Sequence, residues 1–278
     1  MRVTTVRIDG RTRAARLDGD QLALLPYGDV AELLATGADW TTAAAERGED
    51  TLALSDADLA PLVPRPEKIF GVGLNYRGHA AEAGLAVLDN PPLFGKFWRS
   101  LIGPTDDLVL PANSQMTDWE GELGLVIGTP VRHVGLDEGL AAIAGYTVVN
   151  DVSMRDWQRR TSQFLQGKTF EGSTPVGPFL VTPDEIDDPS RLHLTCLVDD
   201  VVMQDTWTDD LVFNPAEIVS YISQIITLVP GDLIMTGTPA GVGGARRPQV
   251  YLEAGQTLRT VVDGVGELIN HCVAPEAS

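Results

Sequence analysis

The stretch that most constrains this chain is Asp118-Trp119-Glu120-Gly121-Glu122, which runs into the apolar segment Leu123-Gly124-Leu125-Val126-Ile127-Gly128. Apolar and β-branched residues bounded by glycines predict a strand, and on a strand alternate side chains share a face. Asp118, Glu120 and Glu122 are therefore expected to point the same way. Three carboxylates on one side of one strand repel each other, and burying one unpaired charge costs on the order of several kcal/mol. A cation among them resolves the conflict. A hard divalent ion with oxygen ligands suits the residue types, and Asp151, which follows the apolar run Tyr146-Thr147-Val148-Val149, could complete the site. The other reading of the same residues is a solvated edge face carrying ordinary surface acids.

With 278 residues and 44% hydrophobic content the chain can bury a full core, as one large domain or one large and one small. A net charge of −19 argues against a nucleic-acid backbone or an anionic membrane as partner, since both would repel it. A small anion must then be captured locally. Only three lysines are present, Lys68, Lys96 and Lys168, so each one inside a motif matters. Cys196 and Cys272 form neither a metal-type pair nor a disulfide framework. Met1 is followed by the polar, alternating Arg2-Val3-Thr4-Thr5-Val6-Arg7, and no stretch approaches the roughly 18 apolar residues of a membrane helix. The expectation is a cytoplasmic protein that meets a small molecule.

Residues 1–28 alternate polar and apolar around Asp9-Gly10 and Asp18-Gly19, which predicts an antiparallel meander. Short helices are expected over 30–35 and 41–47, with Asp29 and Thr41 as caps. Pro61, Pro64 and Pro66 mark a boundary between a small β-rich domain, 1–64, and the remainder, 65–278. Lys68 to Gly73 reads as a buried strand leading into a helix over 74–84. On that helix His79 and Glu82 fall one turn apart on the same face. A carboxylate beside an imidazole fixes its tautomer and builds a general base, although the same spacing also suits a surface pair. Further helices are expected over 136–144 and 215–228, and a polar helix or turn over 153–160. Gly167-Lys168-Thr169 lacks the preceding glycine and strand of a phosphate loop, so Lys168 is read alone, as a cation aimed at an anionic substrate. Gly237 to Gly243 does not fit a dinucleotide fingerprint, but the amides of such a loop can close around a carboxylate.

Taken together, Gly73-x-Asn75-Tyr76-x-x-His79-x-x-Glu82, Asp118-x-Glu120-x-Glu122-Leu123, Asn150-Asp151-Val152-Ser153-x-Arg155-Asp156-x-Gln158, Gly167-Lys168-Thr169-Phe170 and Pro230-Gly231-Asp232 through Val242 resemble the fumarylacetoacetate hydrolase superfamily, in its acylpyruvate hydrolase and dienedioate isomerase-like branch. The resemblance implies an α+β, β-rich fold: a mixed sheet rolled on itself with peripheral helices, behind a small β-rich N-terminal domain, usually as a homodimer. It implies that Glu120, Glu122 and Asp151 hold Mg²⁺ or Mn²⁺, that Lys168 lies near the substrate, and that His79 and Glu82 sit on a segment ordering over the site. Arg155 and Gln158 match residues that line the family's pocket, and Thr238 one that contacts the substrate carboxylate. Phe97-Trp98-Arg99 and Thr169-Phe170-Glu171 depart from the family pattern at the pocket border.

The implied chemistry is hydrolysis of the C–C bond of a 2,4-dioxo acid, with His79, assisted by Glu82, taking a proton from water and Lys168 neutralising the enolate. Decarboxylation of an oxaloacetate-like acid and isomerisation of a 2-hydroxydienoate share that enolate and are the alternatives. Binding of a metal or keto acid without turnover is a further one. Trp98, Arg99, Trp157 and Phe164 are candidates for shaping the substrate's distal end.

Overall fold

The structure, a computed structural model, describes residues 1–45, 48 and 50–275. The alternating N-terminal pattern becomes the strands Arg2–Ile8, Arg11–Asp18 and Gln21–Leu24. Asp9 and Gly10 both take positive φ, 50° and 73°, the two-residue turn whose twist matches its flanking strands. Arg2–Ile8 also pairs antiparallel with Thr174–Val181, in the register Arg2↔Val181, which carries the N-terminal strands onto a larger sheet.

Among the described residues twelve strands form that sheet. Its middle is Thr174–Val181, Ile143–Asn150, Gly121–Ile127, Leu233–Met235 and Ile69–Val72, in that spatial order. Every residue of Gly121–Ile127 and Ile143–Asn150 is buried, because both faces are covered, and such strands read as nearly continuous apolar runs. On one face Leu123, Leu125 and Val148 pack with Leu194, Val262 and Leu268 of a second, five-stranded sheet. On the other, Val126, Val149 and Met235 meet Leu33, Leu34 and Trp40 from the N-terminal helices. The β-rich, mixed-sheet architecture with helices at its periphery is the one expected.

Helix boundaries depart in instructive ways. Val30–Leu34 starts as expected on Asp29, whose side chain accepts from the Glu32 amide. The next helix is Trp40–Ala45; of its expected span, Glu46 and Arg47 lie outside the described residues. The helix expected over 136–144 stops at Ala141, because Ile143 is drawn into the central strand opposite Ile127. Pro215–Ile225 carries a capping box between Asn214 and Glu217 and ends three residues short of Leu228, which pairs with Val131 instead. The helix that bears His79 begins only at Arg77. The Asn75 side chain donates through Nδ2 to the carbonyls of Thr236 and Phe213, its backbone carbonyl accepts from the Val212 amide, and Tyr76 bridges to Leu211 in extended geometry, so both residues stay outside the helix. Gly84, at φ 67°, caps its end. Among the described residues no helix is long and apolar enough to cross a membrane.

Candidate functional site

The central strands converge at one end. Gly121 pairs with Asn150, so Glu120 and Glu122 flank one side of that register and Asp151 the other. The backbone locks this arrangement: the Asp151 amide donates to the Glu120 carbonyl at 2.8 Å, and the Glu120 amide to Asn150 Oδ1 at 2.9 Å. One carboxylate oxygen each from Glu120, Glu122 and Asp151 lies within 4.8 Å of the others, and all three residues are buried.

Asp118 does not join them. The expected single strand is broken at Trp119–Glu120: Thr117–Asp118 pairs with Ser153–Met154, and a separate strand starts at Gly121. Alternation does not survive that break, and Asp118 turns to accept from Arg155 Nε at 2.7 Å and from the amides of Gly243 and Gly244 at 2.7 and 2.9 Å. It therefore holds Arg155 rather than an ion. Asp118→Ala would leave a buried guanidinium and two amides without their acceptor, and is expected to cost about 3–5 kcal/mol in urea unfolding; a cost below about 1 kcal/mol would contradict this role.

The other expected residues gather around the triad. Lys168 Nζ lies 2.6 Å from Glu120 and 2.8 Å from Asp151. Arg155 Nη1 lies 2.6 Å from Glu120 and donates to Gln158 Oε1 at 2.9 Å. Thr238 donates to the Gly121 carbonyl and accepts from Gln204. His79 Nδ1 is 3.1 Å from Glu82 Oε2, while Oε1 of Glu82 accepts from the Gly241 amide at 3.0 Å. A cavity of about 480 Å³ is lined by His79, Glu120, Arg155, Gln158, Lys168 and Thr238, with Leu74, Leu85, Phe94 and Phe164 as its apolar wall. Of the side chains expected to shape the distal end, Phe164 lines this cavity, edge-on to Phe94. Trp98 instead packs against the guanidiniums of Arg65 and Arg99, and Trp157 against Phe170 and Arg160.

Lys96 was not singled out for the site by its motif, yet it is fully enclosed and its Nζ lies 2.5 Å from Asp151. The signal available was the scarcity of lysine: each of the three meets a buried aspartate, Lys68 at Asp232 and the other two at Asp151. The glycine-rich loop closes around carboxylates as expected, but they are the protein's own. Its amides hold Glu122 through Gly237 at 2.5 Å, Glu82 through Gly241, and Asp118.

The electrostatics expose an imbalance. Four buried carboxylates, Asp118, Glu120, Glu122 and Asp151, meet three buried cations, Lys96, Arg155 and Lys168. Burial opposes ionisation of Glu120, but Lys168 and Arg155 outweigh it and hold the carboxyl down to about 2. Glu122 has no such partner. Burial, then the charges of Asp151 and Glu120, push its carboxyl well above the usual range, against only Lys168 and the Gly237 amide. Burial lowers Lys96 despite Asp151, whereas Asp151 and Glu120 outweigh burial and raise Lys168. Three oxygen donors with one unmatched carboxylate fit a hard divalent ion.

The pH dependence follows with a definite sign. Because the Glu122 pKa is raised on folding, its contribution to stability is fully present below the unfolded value and is lost as pH rises through the folded value. A divalent ion held by the triad would replace that proton. The stabilisation by Mn²⁺, read as a rise in Tm, is therefore expected to be absent near pH 4 and to grow with pH, toward a free energy of about 2.7 kcal/mol at a hundredfold excess over Kd. Calorimetric scans between pH 4 and 8 test this, and a metal-induced shift independent of pH would contradict it.

The fold and this site define a class. Residues 68–273 match the model of the fumarylacetoacetate (FAA) hydrolase C-terminal domain, most of the chain, and the protein belongs to that family. It is 41% identical over 243 residues to the mitochondrial oxaloacetate tautomerase Fahd2a of Rattus norvegicus, covering 82% of this chain and 78% of that one. Its structure resembles the fumarylacetoacetate hydrolase of psychrophilic Exiguobacterium antarcticum, with a TM-score of 0.87, 31% identity and coverage of 99% and 100% of the two chains. It also resembles the maleylpyruvate hydrolase of Sphingobium sp. SYK-6 in complex with manganese(II) and pyruvate, with a TM-score of 0.82, 29% identity and the same coverage.

Proposed function

We propose that this protein is a divalent-metal-dependent enzyme that cleaves the C–C bond of a 2,4-dioxo acid hydrolytically, giving pyruvate or a substituted pyruvate and a carboxylic acid. The observation that carries the reading is the His79–Glu82 pair: an imidazole on a carboxylate bonded at both oxygens, on the wall of a cavity that Glu120 of the oxygen-donor triad also lines. Glu120, Glu122 and Asp151 would hold Mg²⁺ or Mn²⁺, which supplies Lewis-acid stabilisation of a keto acid's developing enolate.

The chain's own groups do the rest. With Nδ1 on Glu82, Nε2 of His79 is the nitrogen left to exchange a proton. It takes one from water as the water oxygen attacks C4 of the substrate. The C3–C4 bond breaks, its electron pair passes into the enolate of the three-carbon fragment, and the imidazolium returns the proton to C3. Lys168 places positive charge beside that fragment, as does Arg155, which is braced by Asp118 and Glu120 and lines the same cavity. The chemistry lies wholly within residues 65–278, with 1–64 as the smaller β-rich unit, and we extend the proposal to a cytoplasmic homodimer.

A second reading rests on a specific observation, the 41% identity to an oxaloacetate tautomerase. There the same imidazole would take the C3 proton of the keto form and the oxygen at C2 would receive one, with no C–C bond broken. Tautomerisation is a use of the enol that the motifs alone had not brought forward. Acetylpyruvate, fumarylpyruvate and oxaloacetate, assayed with Mg²⁺ or Mn²⁺ and with chelator, separate the readings. Metal-dependent pyruvate release from the acylpyruvates is the expected result. Faster decay of the enol absorbance of oxaloacetate, without pyruvate from any substrate, would replace hydrolysis by tautomerisation, and CO₂ from oxaloacetate alone would replace it by decarboxylation.

A further inference from the structure

Arg159 completes the helical turn that starts at Arg155, its amide donating to the Arg155 carbonyl at 3.1 Å, and side chains four residues apart share a face. Their situations differ. Arg155 is buried between Asp118 and Glu120, and Lys168 between Glu120 and Asp151. Arg159 is exposed, lines the same cavity, and has no carboxylate within ion-pair distance among the described residues. The buried Nη2 of Arg155 also lacks an acceptor among the described residues. Gly244 lets the backbone pass close by: a Cβ there would lie 3.1 Å from Asp118 Oδ2 and 3.3 Å from Arg159 Nη2. The cavity thus joins Glu120 of the acid triad and His79 to an apolar wall and, one helical turn beyond Arg155, to a guanidinium with no carboxylate partner among the described residues.

Resting on the keto-acid reading above, we propose that Arg159 is the specificity residue that takes a second carboxylate at the distal end of the substrate, so that the preferred substrate class is a 2-keto dicarboxylate. The apolar wall of Leu74, Leu85, Phe94 and Phe164 accommodates the carbon chain between the two ends. Guanidinium and carboxylate meet through paired N–H donors, a match that lysine, with a single point charge, reproduces only in part.

The test is calorimetric binding to the Mn²⁺-loaded protein of two five-carbon acids, 2-ketoglutarate and 2-ketovalerate, which differ at the far end. Wild type is expected to prefer the diacid by about tenfold or more, Arg159→Met to erase the preference, and Arg159→Lys to keep part of it. In turnover, the ratio of kcat/KM for fumarylpyruvate over acetylpyruvate should fall by a similar factor in Arg159→Met, through KM. A preference that survives in Arg159→Met, or is absent from wild type, overturns the assignment, as does an equal loss for both acids. Binding of neither acid by wild type would overturn the keto-acid reading with it. A diacid preference without turnover of any substrate would overturn the reaction and leave Arg159 in its role.

Discussion

Glu122→Gln is expected to lower turnover by about a thousandfold while making the metal-free protein more stable at neutral pH than wild type. The two effects have one cause. Glu122 is the carboxylate of the triad without a lysine or arginine hydrogen-bonded to it, and burial, then the charges of Asp151 and Glu120, already drive it toward its protonated form. Glutamine mimics that form, keeps an oxygen for the Gly237 amide, and removes the repulsion. It also removes the negative charge that a divalent ion needs. Unfolding in chelator at pH 7.5, set beside metal titration and kcat, measures both sides. Wild-type metal affinity in the variant, or a metal-free form less stable than wild type, would remove Glu122 from the ion site.

The second large effect is expected at His79. His79→Ala should reduce kcat by about 10²–10⁴-fold, the usual worth of a positioned general base, while Mn²⁺ still raises Tm as in wild type. The residue lies on the cavity wall in a short helix, its side chain only 14% exposed and bonded to Glu82, so the stability change should be about 1 kcal/mol. Glu82→Gln, which weakens the base without deleting it, should fall between wild type and His79→Ala. Full turnover in His79→Ala would make the pair structural.

Much of the site was legible because strand and helix periodicities carry chemistry in register. Glu120 and Glu122 alternate onto one face, and His79 and Glu82 share a helical turn. What was not legible depends on contacts far apart in the chain. Asp118 reads as a third member of the acid stripe, and only the pairing of Thr117–Asp118 with Ser153–Met154 shows that a strand ends there. Lys96 lies 55 residues from the aspartate it meets, and nothing local announces the contact. The loop over 237–243 was read as able to bind a carboxylate. That its partners are Glu122 and Glu82 requires Leu233–Met235 to run beside Gly121–Ile127. The late start of the His79 helix has the same origin, since Asn75 is held by residues more than 130 positions away. Arg159 carries no motif at all, and its interest comes from which carboxylates its neighbours have already taken.

The central claim is that one cavity joins an ion-binding acid triad to a proton-transferring His79 that acts on the carbon beside a keto group. Deuterium uptake at C3 of pyruvate, followed by proton NMR in D₂O with Mg²⁺, tests it most directly, because the enol is common to hydrolysis and tautomerisation. The expected result is exchange catalysed by wild type that disappears with chelator, in His79→Ala and in Glu122→Gln. Exchange that proceeds equally well in His79→Ala, or without metal, would contradict the account.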